Sequence, residues 1–338
     1  MCCDPVASDR TLSHEQLKHD ASQSIRPGLS IAGFQNTLDG YRELMTDAVL
    51  PVPDNDPTVA GAAADFVGQP VVRTGRELVI PSLGFGTWQL DEEAAAKMVR
   101  AAIAAGYRHI DTAQMYGNEA GVGSGIAASK VDRSDLFVTT KVDNDAHEPD
   151  DLVSSVRESL DKLHTDYVDL LLIHWPVHYD RIEATMAALS QVRAEGIARH
   201  IGVSNFTINQ LDEVVEMAPL EVLQVECHPY FQQRELRRWC VEHDWAFTAY
   251  SPLGQGEIFN SEGFAAIADS VGAPPAEVAL AWLIGLDRVT AIPRSSDQMH
   301  LESNFNATKL QLSADVRAAI DELDSGQRLI DPDFAPWN

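Results

Sequence analysis

The sequence predicts a single (β/α)8 TIM barrel with an N-terminal β-hairpin plug and an extra C-terminal helix and tail. Three observations carry that prediction. Short apolar runs alternate with stretches of helical period eight times between Ser82 and Ala307, the number of units that closes such a barrel. Each run is apolar at nearly every residue, as parallel strands covered on both faces must be. A polar or aromatic residue stands at the C-terminal end of almost every run, the end where barrels gather their chemistry.

Residues 1–69 lack sustained periodicity and are broken by PVPDNDP, which begins at Pro51, and by the small residues at 60–64. They read as an extension, flexible or partly helical, with one amphipathic helix at 35–48 and Met45 as an alternative start. The barrel domain is expected over 70–338. Residues 71–74 and 77–80, joined through Gly75 and Arg76, form the hairpin. The eight strands are then expected at 82–86, 107–112, 136–140, 168–174, 200–203, 222–226, 246–250 and 290–293. Their helices are expected at 91–105, 118–129, 150–163, 181–195, 208–217, 235–243, 276–284 and 299–307. Leu152, Val156, Leu160 and Leu163 show the helical spacing, and Pro275 suits a first helical turn. A further helix at 314–323 and the apolar tail residues Phe334, Pro336 and Trp337 follow the last unit, and the barrel mouth is one place for such a tail to dock.

Composition excludes several functions. The chain of 338 residues carries 51 acidic and 25 basic residues, a net charge of −26, which argues against nucleic acid or an anionic membrane as partner. No apolar run approaches the roughly 18 residues of a membrane span, and the charged N-terminus reads as no targeting segment, so a cytoplasmic location is expected. Lysine is scarce: Lys18, Lys97, Lys130, Lys141, Lys162 and Lys309 are the whole set. An acidic, lysine-poor surface suits concentrated salt, where the Debye length falls to about 3 Å at 1 M, and the chain is expected to be salt-adapted. Four cysteines, Cys2, Cys3, Cys227 and Cys240, make no disulfide framework. Cys227 with His228 and Cys240 with His243 do not read as a zinc site, because strand and helix packing account for both cysteines. No metal is expected.

The centre of the pattern is GYRHIDTAQMYGNE, from Gly106 to Glu119. A buried strand there ends in Asp111, and Tyr116 follows five residues later in a loop too short to carry it away. The strand ends in turn supply Gly86, Thr87 and Trp88; Asp111 with Tyr116; Lys141; His174 and Trp175; Ser204 and Asn205; Gln224; Tyr250 and Ser251; Arg294 and Ser295. No nucleophilic triad and no HExxH occurs. Gly121, Gly123 and Gly125 lie within a helical pattern without GxGxxG spacing and read as helix-packing glycines. Asp, Tyr, Lys and His suit proton transfer to a carbonyl oxygen. A tyrosine near pKa 10 is a poor acid at neutral pH, and a lysine ammonium beside it is expected to lower that pKa by on the order of 1 to 3 pH units. The aspartate holds the lysine charged, and the histidine donates to the same oxygen.

With these residues in view, the chain from about Val71 onward resembles the aldo-keto reductases, in particular the bacterial 2,5-diketo-D-gluconate and methylglyoxal reductase branch. LGFGTW, GYRHIDTAQMYGNE, the strand ending in Lys141, LLIHWP, IGVSNF, QVECHPY, AYSPLGQG and IPRSS occur in the family's order. The resemblance implies a catalytic tetrad of Asp111, Tyr116, Lys141 and His174, with Tyr116 as proton donor. It implies that Ser204, Asn205 and Gln224 hold a nicotinamide carboxamide, that Tyr250 stacks on the ring, and that Ser251 and Leu253 lie along the pyrophosphate, with Gly86, Thr87 and Trp88 among the cofactor contacts.

The adenosine end departs from the family's pattern: Arg294 and Ser295 are followed by His300 where a second arginine is usual and by Ser303 where a glutamate is frequent, while Asn304 is kept. NADPH is expected, with NADH accepted. Trp88, Tyr116, His174, Trp175 and Trp337 would frame the substrate pocket. The expected activity is NAD(P)H-dependent reduction of small aldehydes, 2-oxoaldehydes or keto-sugar derivatives by a monomer. An alcohol or sugar dehydrogenase using the same site, and a non-catalytic cofactor-sensing barrel, are the alternatives.

Overall fold

The structure, a computed structural model, describes residues 66 and 68–337. The expected helix at 35–48, Met45, Cys2 and Cys3, and nearly all of the 1–69 extension lie outside the described residues.

A hairpin of β1 (Val71–Arg73) and β2 (Val79–Pro81) comes first, with Val72 paired to Ile80. Its Val72, Leu78 and Ile80 pack on Phe137, Val222 and Ala246, each the first residue of its barrel strand. That contact seals the N-terminal end of the barrel with apolar side chains. Arg76 donating to the Leu220 carbonyl and Gly75 N–H donating to Asp244 tie the turn down.

The barrel strands are β3 (Phe85–Gly86), β4 (His109–Asp111), β5 (Phe137–Val142), β6 (Val168–Ile173), β7 (Ala198–Ser204), β8 (Val222–Glu226), β9 (Ala246–Tyr250) and β10 (Val289–Ala291). They pair in parallel, each with its neighbour in sequence. The ring closes where Leu83 bridges Ala291 and Gly86 N–H donates to the Pro293 carbonyl at 3.0 Å. Closure removes both sheet edges and directs all eight C-terminal strand ends to one face.

Outside lie α1 (Glu92–Ala105), α2 (Glu119–Ser129), α3 (Pro149–Leu163), α4 (Ile182–Ala194), α5 (Ile208–Val214) and α6 (Arg234–Glu242). They continue with α7 (Glu257–Asn260), α8 (Glu262–Val271), α9 (Pro275–Ile284), α10 (Gln298–Asn306) and α11 (Ala314–Asp321). The glycines of α2 do pack helices together. A Cβ on Gly121 would collide with the Glu92 carbonyl oxygen of α1, and one on Gly123 would stand 2.5 Å from the Lys162 carbonyl oxygen of α3. The sequence reading lacked α7 and α8, which fill the connection between β9 and α9. Ser261 caps α8 by accepting from Phe264 N–H, and Gly272 ends it with a left-handed φ of 72°. Helix α5 stops at Val214, three residues before the expected end.

Candidate active site

Asp111 is the last residue of β4, and Tyr116 ends a single 3-10 turn, Gln114–Tyr116. Helix α2 opens just after this turn, with Asn118 at its N-cap, and side chains pin the turn. Asn118 accepts from Thr112 Oγ1 and donates to the Thr87 and Leu90 carbonyls at 2.9 Å each. Gln114 donates to Ser155 and Ser159 of α3 and accepts from Asp143 N–H. These partners lie just after strand ends, before a helix or within one, so the phenol is positioned before any ligand arrives.

Lys141, on β5, is fully buried. Its Nζ donates to Asp111 Oδ1 at 2.5 Å, to the Thr112 carbonyl at 2.9 Å and to Tyr116 Oη at 3.3 Å. The second oxygen of Asp111 accepts from Gln224 Nε2 of β8 at 2.8 Å. The carboxylate and the ammonium therefore have their main hydrogen-bonding positions filled, as a buried ion pair requires. His174 follows β6, and its ring meets that of Tyr116 edge-on with centroids 5.6 Å apart. The four residues expected to act together are brought together.

Their electrostatics correct one expectation. Tyr116 lies above its ordinary pKa, because burial outweighs the opposing pull of Lys141. The motif showed the lysine but not the depth of the phenol. Burial alone would drag Lys141 down, yet Asp111 and Tyr116 together lift it above its ordinary value, so it remains an ammonium. His174 is held well below 6.5 by burial, with Lys141 and His147 adding to the effect. At neutral pH the site is thus a phenol, an ammonium and a neutral imidazole, arranged at one strand-end cluster.

A cleft of about 720 Å³ opens above them. Asp111, Tyr116, His174 and Trp175 line it, with Gly86, Thr87 and Trp88 on one side. Asn205, Gln224, Tyr250, Ser251, Leu253 and Arg294 line the other stretch. Asn205 (φ 65°) and Ser251 (φ 47°) hold left-handed backbone directly after β7 and β9, a cost that the surrounding packing must sustain. Asn205 is heavily engaged within the protein: it donates to the His174 carbonyl and Ser204 Oγ at 3.0 Å each and accepts from Tyr250 Oη at 2.8 Å. Tyr250 is thereby locked in orientation at the cleft wall.

Other expected residues do not line the cleft. Ser204 is fully buried beneath Asn205. Ser295 donates to the Asp297 carbonyl, His300 is exposed on α10, and Asn304 is buried in that helix. Trp337 stands behind Trp175, ring centroids 5.7 Å apart, and Phe334 of the same tail takes the cleft position. Sequence reasoning missed the tail residues Leu329, Ile330 and Asp331, which form the outer wall, as well as Met115 and Phe259. It also missed Asp297, whose carboxylate caps α10 by accepting from Met299 N–H at 2.8 Å and His300 N–H at 3.1 Å. An Asp three residues after Arg294 was the available signal.

Among the described residues no group of three or more His, Cys, Asp or Glu side chains is gathered for a metal. Cys227 and Cys240 are buried, and burial pushes the Cys227 thiol up to about 12.

Comparison with known proteins places the chain in a family. The model of the aldo/keto reductase family matches residues 82–325. Methylglyoxal reductase DkgB of Escherichia coli O157:H7 is 42% identical over 268 residues, which span 77% of this chain and 100% of that protein. The 9,11-endoperoxide prostaglandin H2 reductase of Trypanosoma cruzi is 41% identical over 261 residues, 75% of this chain and 92% of the relative. Among solved structures, a candidate 2,5-diketo-D-gluconic acid reductase B superposes with a TM-score of 0.76 at 35% identity, covering 79% of this chain and 96% of its own. An aldo/keto reductase from Brucella melitensis gives 0.72 at 38% identity, covering 76% and 100%.

Proposed function

The chain belongs to the aldo/keto reductase family, and on that premise we propose that it reduces small aldehydes, 2-oxoaldehydes or keto-sugar derivatives to alcohols with NADPH, accepting NADH less well. The observation that carries the reading is Lys141, a buried ammonium in hydrogen-bond reach of both Asp111 and Tyr116, which themselves line a cleft.

The residues present fit a nicotinamide dinucleotide. The loop from Ser251 to Gly256 passes repeatedly through left-handed backbone, at Ser251, Gly254, Gln255 and Gly256, a conformation that gathers N–H groups around an anion. Arg294 offers a bidentate phosphate partner. When bound, the nicotinamide would supply a hydride to the carbonyl carbon. Tyr250, fixed by Asn205, presents a ring face for stacking. Gln224 keeps its amide oxygen for a carboxamide while its nitrogen holds Asp111.

Tyr116 gives its proton to the carbonyl oxygen as negative charge builds there. Lys141 stabilises the phenolate left behind, an electrostatic contribution that grows only as the reaction proceeds. Asp111 keeps the lysine charged and aimed. His174, being neutral, donates a hydrogen bond to the same oxygen without competing as the acid.

The same groups run an alcohol or sugar dehydrogenase in reverse. A catalytically retired barrel is the weaker reading, because it gives no reason to maintain a buried ion pair beneath a phenol. Asp297 puts a negative charge beside the segment that would meet a 2′-phosphate, which tempers the NADPH preference. We further infer salt adaptation from the acidic, lysine-poor composition, and propose a monomeric, cytoplasmic enzyme. Turnover of a panel of aldehydes, 2-oxoaldehydes and keto-sugars with each cofactor tests this function. Activity with 2-oxoaldehydes and NADPH is expected, and no turnover of any carbonyl would overturn it.

A further inference from the structure

Glu226 is the last residue of β8, two positions beyond Gln224, so both side chains project to the same side of the strand. Gln224 is accounted for by Asp111. Glu226 hydrogen-bonds elsewhere, and its side chain is wholly removed from solvent. A buried carboxylate is costly unless it is fully hydrogen-bonded, and this one spends its acceptors far along the chain. Oε1 accepts from Leu329 N–H at 2.8 Å and Oε2 from Ile330 N–H at 2.9 Å. His228 Nε2 lies 2.9 Å from Oε1. Two successive backbone N–H groups thus close on one anion.

The captured residues belong to the segment that walls the cleft. Leu329, Ile330, Asp331, Pro332 and Phe334 all line it. Beside the clamp, the Arg328 guanidinium lies 3.6 Å from the ring centre of Trp337 and 4.6 Å from that of Phe231. Trp337 Nε1 donates to Asp331 at 2.8 Å, folding the tail on itself. Phe334 meets Trp175 edge-on at 5.3 Å. A terminal segment frays unless it is tied down. Charge-assisted bonds from a barrel strand to its main chain are the strongest tie available to it, and they fix backbone rather than side chains.

We propose that Glu226 is a positioning residue for substrate selection: its carboxylate holds the C-terminal tail in place as the outer wall of the cleft, so discrimination between compact and bulky apolar carbonyls depends on it. The inference deepens the reductase reading and rests on it for its kinetic half alone. A compact dicarbonyl reaches the tetrad with little help from the wall. An aromatic aldehyde must place its ring against Phe334 and the neighbouring aliphatic side chains.

The test is Glu226→Gln, which keeps the shape but turns one acceptor into a donor facing a backbone N–H. Two readouts are taken, amide exchange of Leu329 and Ile330 by mass spectrometry, and steady-state kinetics with methylglyoxal and benzaldehyde. The amides are expected to exchange about tenfold faster or more, the factor that one lost charge-assisted bond corresponds to. KM for benzaldehyde is expected to rise about tenfold, with kcat and the KM for methylglyoxal changed less than about threefold. Should Glu226→Gln fail to fold, the chain ending at Gln327 is used and is expected to lose the same discrimination. Wild-type exchange and wild-type selectivity in Glu226→Gln, or wild-type selectivity in the shortened chain, would overturn the proposal. If the wild-type protein reduces neither carbonyl, the reductase reading fails, and the exchange measurement still decides whether Glu226 holds the tail.

Discussion

Replacing Lys141 with methionine removes one charge of similar length from the centre of the site and leaves its partners in place. Asp111 then keeps only the Gln224 donor at 2.8 Å and loses the ammonium at 2.5 Å. Breaking a buried ion pair from one side costs about 3–5 kcal/mol, and the surviving Gln224 bond puts the expected loss of stability at the lower end. The catalytic loss has a separate origin. An ammonium 3.3 Å from the phenol oxygen is worth up to about 5 kcal/mol to a phenolate at an effective dielectric constant of about 20, and deleting one preorganised electrostatic partner usually lowers kcat by about 10² to 10³.

The pH dependence of that variant has a definite sign. Lys141 is raised in the folded state, so its stabilising contribution is complete below the unfolded pKa of about 10.5 and is lost as pH rises through the higher folded value. The stability gap between wild type and Lys141→Met is therefore widest at neutral pH and narrows in strong alkali. Tyr116, already raised by burial, loses the Lys141 charge that opposed it and moves further up, so the alkaline fall in reduction rate shifts to higher pH. Denaturant unfolding and initial rates across pH measure both effects. Adding Asp111→Asn should restore part of the stability, since no orphan anion remains, but none of the turnover. A Lys141→Met protein as stable as wild type and within tenfold in kcat would refute this account of the pair.

Two further outcomes are expected. Asp297→Ser keeps a side-chain cap for α10 but removes its charge, and the ratio of kcat/KM for NADPH over NADH should rise about fivefold, the effect of ~1 kcal/mol between exposed charges; an unchanged ratio would detach Asp297 from the 2′ end. With a net charge of −26, the unfolding temperature should climb between low salt and 1 M potassium chloride, where the Debye length is about 3 Å, and an unchanged value would remove the salt-adaptation reading.

What the sequence made legible follows from how local each signal is. β8 and β9 fall at the expected residues, because a short apolar run bounded by polar residues marks a buried strand within its own few positions. The grouping of Asp111, Tyr116, Lys141 and His174 was legible because each sits at or shortly after a strand end. Features that depend on distant partners were not. The tail's role as cleft wall rests on Glu226 meeting residues about a hundred positions away, and nothing in FAPW says which side chain turns inward; Trp337 was expected at the pocket and Phe334 is there. Asn205, read as a cofactor contact, lines the cleft, but its amide bonds to His174, Ser204 and Tyr250 could not be seen in the sequence. The direction of the Tyr116 shift depended on burial, which a motif does not report. Helices α7 and α8 were overlooked although Ser261 and Gly272 mark the ends of the latter.

The measurement closest to the central claim is pre-steady-state reduction of a 2-oxoaldehyde by Tyr116→Phe, run beside a fluorescence titration with NADPH. Loss of the proton donor should lower the single-turnover rate by about 10² to 10⁴ while cofactor affinity stays within about twofold of wild type. A Tyr116→Phe enzyme that turns over as fast as the wild type would contradict the assignment of that phenol as the acid.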